Sequence, residues 1–294
     1  MNIHVSDIAL PVQTLLAGKY IINEVHYLGH TGIVYFGVNA ENSCQVAIKE
    51  FMPYMVANRD MDGKSVMCKG IGCQNQFTHS RQAFDQECEY VYKLKDVSKP
   101  YPGCIVEYLD SFEENETKYL VTRKIQGKSL QDYLENGDDF SVRDTINMLV
   151  DVVRQVHKRG IIHCDIKPSN IVLDEQGRVI LIDFGSACYK ANNKEKQSGE
   201  LFFASRGYSA PELYKGEGID EKTDIYSIGA ILYNMLTDSQ LPSPEDYDEQ
   251  EEIPPISDFI DIPESLENVI MKMIDRDKKK RPSSLFLLKL KLNS

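Results

Sequence analysis

The chain has 294 residues, 42% hydrophobic and 27% charged, enough for a substantial core and unlike a disordered or fibrous composition. Its formal net charge of −12 argues against a nucleic-acid binder, which needs a basic face to displace counterions; it suits basic protein substrates or, more ordinarily, a surface that keeps a protein soluble. Seven cysteines form no secreted-type framework, Cys68 and Cys73 have no second Cys/His pair at zinc spacing, and no signal-like N-terminus or membrane-length apolar run is seen, so the expectation is a soluble, cytoplasmic chain with reduced thiols.

The first third reads as strands: residues 19–28, 34–39 and 45–51 are β-branched and aromatic runs broken by glycine and asparagine, the pattern of a meander. A polar stretch over 52–80 follows, with a turn at Asp62-Gly63. Phe84, Cys88, Val91 and Tyr92 predict a helix over 81–94 with those side chains on its apolar face. Two more strands are expected at 105–112 and 118–125, around a polar turn at 113–117. After Leu130 the period becomes helical. Ser141, three residues before Asp144, signals a capped start, and Val142, Ile146, Leu149, Val150 and Val153 form the buried stripe of a helix ending near Gly160. Short strands at 171–173 and 179–182 flank a turn at 174–177, and helical patterns return at 223–237, 266–274 and 283–292. A strand-rich front and a helix-rich back predict an α+β fold in two lobes. Residues 1–17 are then an N-terminal extension, 18–122 a first lobe with an insertion at 52–80, 123–128 a hinge and 129–294 a second lobe.

Two motifs carry chemistry. His163-Cys164-Asp165-Ile166-Lys167-Pro168-Ser169-Asn170 sets a carboxylate and an amide five residues apart on a loop. Thirteen residues past Asn170, after a short strand, stands Asp183-Phe184-Gly185. Phosphoryl transfer needs cations on the nucleotide phosphates, oxygen ligands on Mg²⁺ and a group that orients the attacking hydroxyl. Each motif alone has an ordinary explanation; their order and spacing together are specific.

In these motifs the sequence resembles the eukaryotic-type protein kinase family, its Ser/Thr branch and its bacterial members. The resemblance spans about residue 18 to residue 290. It implies a bilobal fold that moves the γ-phosphoryl group of ATP, with Mg²⁺ or alternatively Mn²⁺, to serine or threonine hydroxyls of a protein substrate. Under it, Lys49 in Val46-Ala47-Ile48-Lys49 holds the α- and β-phosphates, and Glu87 is its ion-pair partner. Asp165 orients the hydroxyl, Lys167 steadies the γ-phosphate, and Asn170 and Asp183 bind the metal. His163 packs beneath the turn of Asp183, Phe184 and Gly185. Ser205 fits the Ser/Thr pattern, Glu212 pairs with Arg281, and Asp224 braces the catalytic loop. Adenine is expected between Val34 and Ala47 on one side and Val172 on the other, with Thr122 guarding a back pocket and backbone groups near Arg123 and Ile125 on its edge; Leu28, Gly29 and Gly32 complete the ATP-binding set.

The sequence departs from that family twice. Gly29-His30-Thr31-Gly32-Ile33-Val34 is two residues shorter than the usual glycine-rich loop and keeps two of its three glycines, so a looser phosphate cradle is expected. Cys164 stands where many members carry an arginine that meets a phosphorylated residue, so activity independent of such phosphorylation is expected. Its thiol reads as packed and inert, with a redox role as the other reading. Ser198 and Ser205 are the candidate autophosphorylation sites, and the acidic run at 245–252 reads as a solvated loop. A nucleotide-binding pseudokinase and a small-molecule kinase are the competing functional readings.

Overall fold

The computed structural model describes residues 5–29, 31–96, 104–190, 205–215, 218–243 and 252–293. His30, Ser198 and the acidic residues 245–251 lie outside the described residues. The chain divides into two compact units, Met1–Lys95 with Val106–Ile125, and Asp96–Ile105 with Gln126–Ser294.

The first unit opens with a short helix α1 (Val5–Ile8) and is built on an antiparallel six-stranded sheet. The strands are β1 (Leu15–Leu16), β2 (Tyr20–Leu28), β3 (Gly32–Asn39), β4 (Gln45–Phe51), then, past a small hairpin β5 (Ala57–Arg59) and β6 (Val66–Cys68) and the helix α2 (Gln74–Leu94), β7 (Tyr108–Glu114) and β8 (Thr117–Arg123). The sheet order is β1-β2-β3-β4-β8-β7. Alternation along β3 and β4 sends Ile33, Tyr35, Ile48 and Glu50 to one face and Val34, Phe36, Ala47 and Lys49 to the other. The first face is closed by Leu10 and Leu16 from the N-terminal segment and by Ala57 and Val66 from the hairpin. On the second face α2 lays Phe77 and Phe84 against Phe51, ring centroids 5.4 and 5.6 Å away.

Three expectations change here. The stretch 52–80 is not merely polar: it forms the β5–β6 hairpin and the first turns of α2, which starts at Gln74 rather than near 81. Over 74–80 Phe77 is the one apolar side chain, packed against Phe51 among polar and mostly exposed neighbours, too little to show a helical period in sequence. Tyr92 was expected on the apolar face but is 49% exposed; one position past Val91 it is rotated about 100° off the buried stripe, and its ring meets Tyr108 edge-on instead. Finally, Ile105 bridges to Leu181 in the second unit, so the strand begins at Tyr108 and turns at Asn115-Glu116, both with positive φ, the two-residue turn that suits strand twist.

The second unit holds the three-stranded sheet β12-β11-β9 and the pair β10-β13. These strands are β9 (Gly127–Ser129), β10 (Ile161–Ile162), β11 (Ile171–Asp174), β12 (Val179–Leu181) and β13 (Cys188–Tyr189). Its helices are α3 (Leu130–Asn136), α4 (Val142–Lys158), α5 (Pro211–Lys215), α6 (Glu221–Thr237), α7 (Glu264–Met273) and α8 (Phe286–Leu292). Ser141 caps α4 by accepting the Asp144 amide, and Ser129 with Asp132 forms a full capping box on α3 that the sequence reading passed over. The α4 stripe is buried at Ile146, Leu149, Val150 and Val153, while Val142, in the first turn, is half-buried; α6 is buried on nearly every side, as a central helix must be. Among the described residues no helix is long and apolar enough to cross a membrane.

Candidate active site

In the first unit, Lys49 Nζ meets Glu87 Oε1 at 2.7 Å, with Glu87 nearly fully buried. Strand β4 aims Lys49 at α2, and Glu87 lies on the buried stripe of that helix. A buried carboxylate on apolar helical spacing is costly unless a cation answers it, which is the role Lys49 fills. On the same sheet face Ala47 stands opposite Thr122, and Val34 opposite Lys49. The Arg123 amide donates to the Glu107 carbonyl at 3.0 Å, so it is not among the groups an adenine edge could use. Ile125 is half-buried.

The loop between Leu28 and Val34 is a tight turn in which the Gly29 amide donates to the Gly32 carbonyl at 2.8 Å. A Cβ on Gly32 would run into the Glu50 carbonyl of the neighbouring strand. Gly32 is therefore accounted for by strand approach, independent of any phosphate.

The second unit gathers three predicted groups around Asp165. Its Oδ1 accepts the Ser205 hydroxyl at 2.7 Å, and its Oδ2 meets Lys167 Nζ at 2.8 Å and Asn170 Nδ2 at 3.0 Å. Lys167 also donates to Ser205 Oγ at 2.9 Å. Ammonium, serine hydroxyl and carboxylate thus close a ring, and charge-assisted bonds hold each member in place. The amide nitrogen of Asn170 is committed to Asp165, through both its carbonyl and its side chain, which directs the amide oxygen elsewhere.

The loop that carries Asp165 is held from beneath. Asp224, fully buried in the first turn of α6, accepts the backbone N–H of His163 and of Cys164, both at 2.9 Å, and pairs with His157 Nε2 at 2.7 Å. Burial alone would raise the pKa of Asp224, but the His157 hydrogen bond and charge, with the His163 charge and amide, outweigh it and hold the carboxyl below its ordinary value. His163 sets its ring 4.7 Å from that of Phe184 and its Nε2 3.2 Å from the Ile182 carbonyl. Asp183 follows in a left-handed conformation (φ 58°), exposed, accepting the Gly185 amide at 3.2 Å. Asp tolerates that conformation better than most residues. Val172, on β11, is half-buried.

Glu212 and Arg281 form a buried fork with two bonds of 2.8 and 2.9 Å, and Thr223 adds a third to Glu212. Tyr226 lies under the guanidinium at 4.8 Å. Nothing in local sequence periodicity announces a pair 69 residues apart; the motif resemblance alone pointed to it.

Among the described residues no group of three or more His, Cys, Asp or Glu could cage a metal ion. Asn170 and Asp183 supply one amide oxygen and one carboxylate. Hard oxygen donors of this kind are those a divalent cation such as Mg²⁺ takes.

The protein kinase domain family matches residues 28–292. A probable serine/threonine-protein kinase of Clostridium perfringens is 32% identical over 183 residues, covering 59% of this chain and 27% of that protein. Another, from Clostridium acetobutylicum, is 26% identical over 291 residues, covering 92% of this chain and 39% of its own. The chain thus spans less than half the length of these curated relatives. Among solved structures, the apo form of PpkA-294 matches with a TM-score of 0.80 at 25% identity, covering 97% of this chain and 99% of that one. The kinase domain of PknI from Mycobacterium tuberculosis matches with a TM-score of 0.65 at 18% identity, covering 97% and 98%, a likeness of fold.

Proposed function

The chain belongs to the protein kinase family, its fold is that of protein kinase domains, and on that premise we propose that it transfers the γ-phosphoryl group of ATP to serine and threonine hydroxyls of a protein substrate. The observation that carries this reading is the ring of Asp165, Lys167 and Ser205. A serine hydroxyl already donates to Asp165 at 2.7 Å while an ammonium stands on the same oxygen at 2.9 Å. A substrate hydroxyl needs the same two partners: a carboxylate to take its proton and a cation to neutralise the phosphoryl group it attacks.

In this reading Lys49, held by Glu87, neutralises the α- and β-phosphates. Asp165 orients and deprotonates the attacking hydroxyl, and Lys167 offsets the charge that develops on the γ-phosphoryl. Asn170 and Asp183 would hold a Mg²⁺ ion, which would supply positive charge to offset that of the phosphates. Val34, Ala47, Thr122 and Val172 would take the adenine, with Leu28, Gly29 and Gly32 beside the phosphates and a backbone group of Ile125 on the base edge. The net charge of −12 favours substrates with basic segments. Ser205 is the autophosphorylation candidate among the described residues.

Phosphosite mapping after incubation with ATP and Mg²⁺, beside Asp183→Ala, tests the reading. New phosphoserine or phosphothreonine in the wild type and none in the variant is the expected result. Equal phosphorylation in both would remove Asp183, and the proposed chemistry with it.

A further inference from the structure

Cys164 and Cys188 bring two sulfurs within 3.7 Å of each other inside the second unit, and the phosphoryl-transfer chemistry uses neither. The fold explains why they meet. Strand β10 pairs antiparallel with β13, setting Ile162 opposite Cys188, and Cys164 lies two residues beyond Ile162. There the backbone takes φ 66°, with the Cys164 amide fixed on Asp224 Oδ1. That left-handed conformation is uncommon for a residue with a Cβ. It accompanies the placing of the side chain in an apolar cluster of Ile162, Leu213 and Ile219, where Cys188 also packs. The two residues are 3% and 1% exposed. A disulfide has an S–S length of about 2.05 Å, so the sulfurs need to close by about 1.7 Å to bond.

We propose that Cys164 and Cys188 are a reversible dithiol, oxidised by a hydroperoxide to an intramolecular disulfide. In the first step the thiolate of one cysteine attacks a peroxide oxygen. The O–O bond breaks, hydroxide leaves and takes up the thiol's proton as water, and a sulfenic acid forms. In the second, the other sulfur attacks that sulfenic sulfur; the S–O bond breaks, the S–S bond forms and a second water leaves. Two thiols and one hydrogen peroxide give one disulfide and two waters, the sulfurs losing the two electrons that the peroxide gains. Burial favours this outcome once oxidation starts. Hydrogen peroxide is small and uncharged, whereas a bulky external thiol is kept from the sulfenic acid, so the neighbouring cysteine captures it. The bond would tie the residue before Asp165 to the strand after Asp183-Phe184-Gly185. That regulatory consequence rests on the kinase reading; the bond itself does not.

The test is a peptide map of the full chain after mild hydrogen peroxide, alkylated under denaturing conditions. The expected result is five alkylated cysteines of the seven, a linked peptide pair containing Cys164 and Cys188, and recovery of all seven on reduction with dithiothreitol. The linked pair is absent from Cys188→Ser and retained in Cys68→Ser. Seven alkylated thiols after peroxide would overturn the proposal, as would sulfinic acid at either residue without the linked pair, or a link confined to other cysteines. The wild-type map decides this even where a cysteine variant does not fold, and its outcome is independent of whether the chain phosphorylates anything.

Discussion

Arg59 and Glu50 meet as a buried fork on the sheet face opposite Lys49. Both guanidinium Nη atoms donate to the Glu50 carboxylate, with Nη1 at 2.6 Å, while Tyr35 and Tyr119 add hydroxyl bonds of 2.7 and 2.8 Å. Burial, and then the Glu50 charge, pushes both tyrosine hydroxyls above their ordinary range, so they remain donors. Arg59 also donates to the carbonyls of Ile8 and Lys64, tying the N-terminal segment and the β5–β6 hairpin to β4. Arg59→Met strands a buried carboxylate and is expected to cost about 3–5 kcal/mol in urea unfolding. The double variant with Glu50→Leu should recover much of that loss. An Arg59→Met protein with an unchanged urea midpoint would show that the fork is not what holds the hairpin.

The two loop glycines should separate in the same assay. Gly32→Ala forces the β3 and β4 backbones apart and should destabilise the nucleotide-free protein by about 1–3 kcal/mol. Gly29→Ala meets chiefly the exposed Tyr27 ring, 3.1 Å away, which can swing aside, so less than about 1 kcal/mol is expected. Equal losses would contradict the strand-approach account of Gly32.

What was legible follows from where the signal resides. The α4 stripe carries a strong period and is buried from Ile146 to Val153, and β2 to β4 fall within two residues of the runs at 19–28, 34–39 and 45–51. Motifs at fixed spacing named Asp165, Lys167 and Asn170, which share one hydrogen-bonded cluster. The fork of Arg59 and Glu50 has no sequence signal: Arg59 stands in the polar stretch 52–80 and Glu50 in the strand run 45–51, with nothing to pair them. No local pattern marks a carboxylate as buried when its partners come from three separate elements. The nearness of Cys164 and Cys188 was missed for a related reason: it depends on a left-handed residue and a two-residue strand pair, neither of which has a sequence period.

Asp224 gives a pH signature. Its folded-state pKa lies below the unfolded value, taken as 3.8, so the ionised carboxylate contributes stability that is complete above that value and is lost as pH falls through the folded one. Asp224→Asn keeps the shape without the charge. The difference in unfolding free energy between wild type and variant should be largest near about pH 5 and narrow toward about pH 2. A difference that widens on acidification would mean that Asp224 is held protonated.

Cys164 replaces the arginine that would bind a phosphorylated residue, and its side chain is enclosed by apolar neighbours rather than facing an anion. Activity should therefore change less than about twofold between phosphatase-treated and untreated protein, assayed under reducing conditions. A tenfold loss on treatment would contradict this.

The account stands on Lys49, Asp165, Asn170 and Asp183 serving one reaction. Its most direct test is Mg²⁺-dependent incorporation of labelled γ-phosphate from ATP into a generic protein substrate, with the wild type beside Lys49→Met, Asp165→Ala and Asp183→Ala. Label on serine and threonine that falls by at least about a hundredfold in each variant, with urea midpoints confirming that all are folded, is the predicted result. A folded wild type that incorporates nothing, or variants that match it, would contradict the assignment.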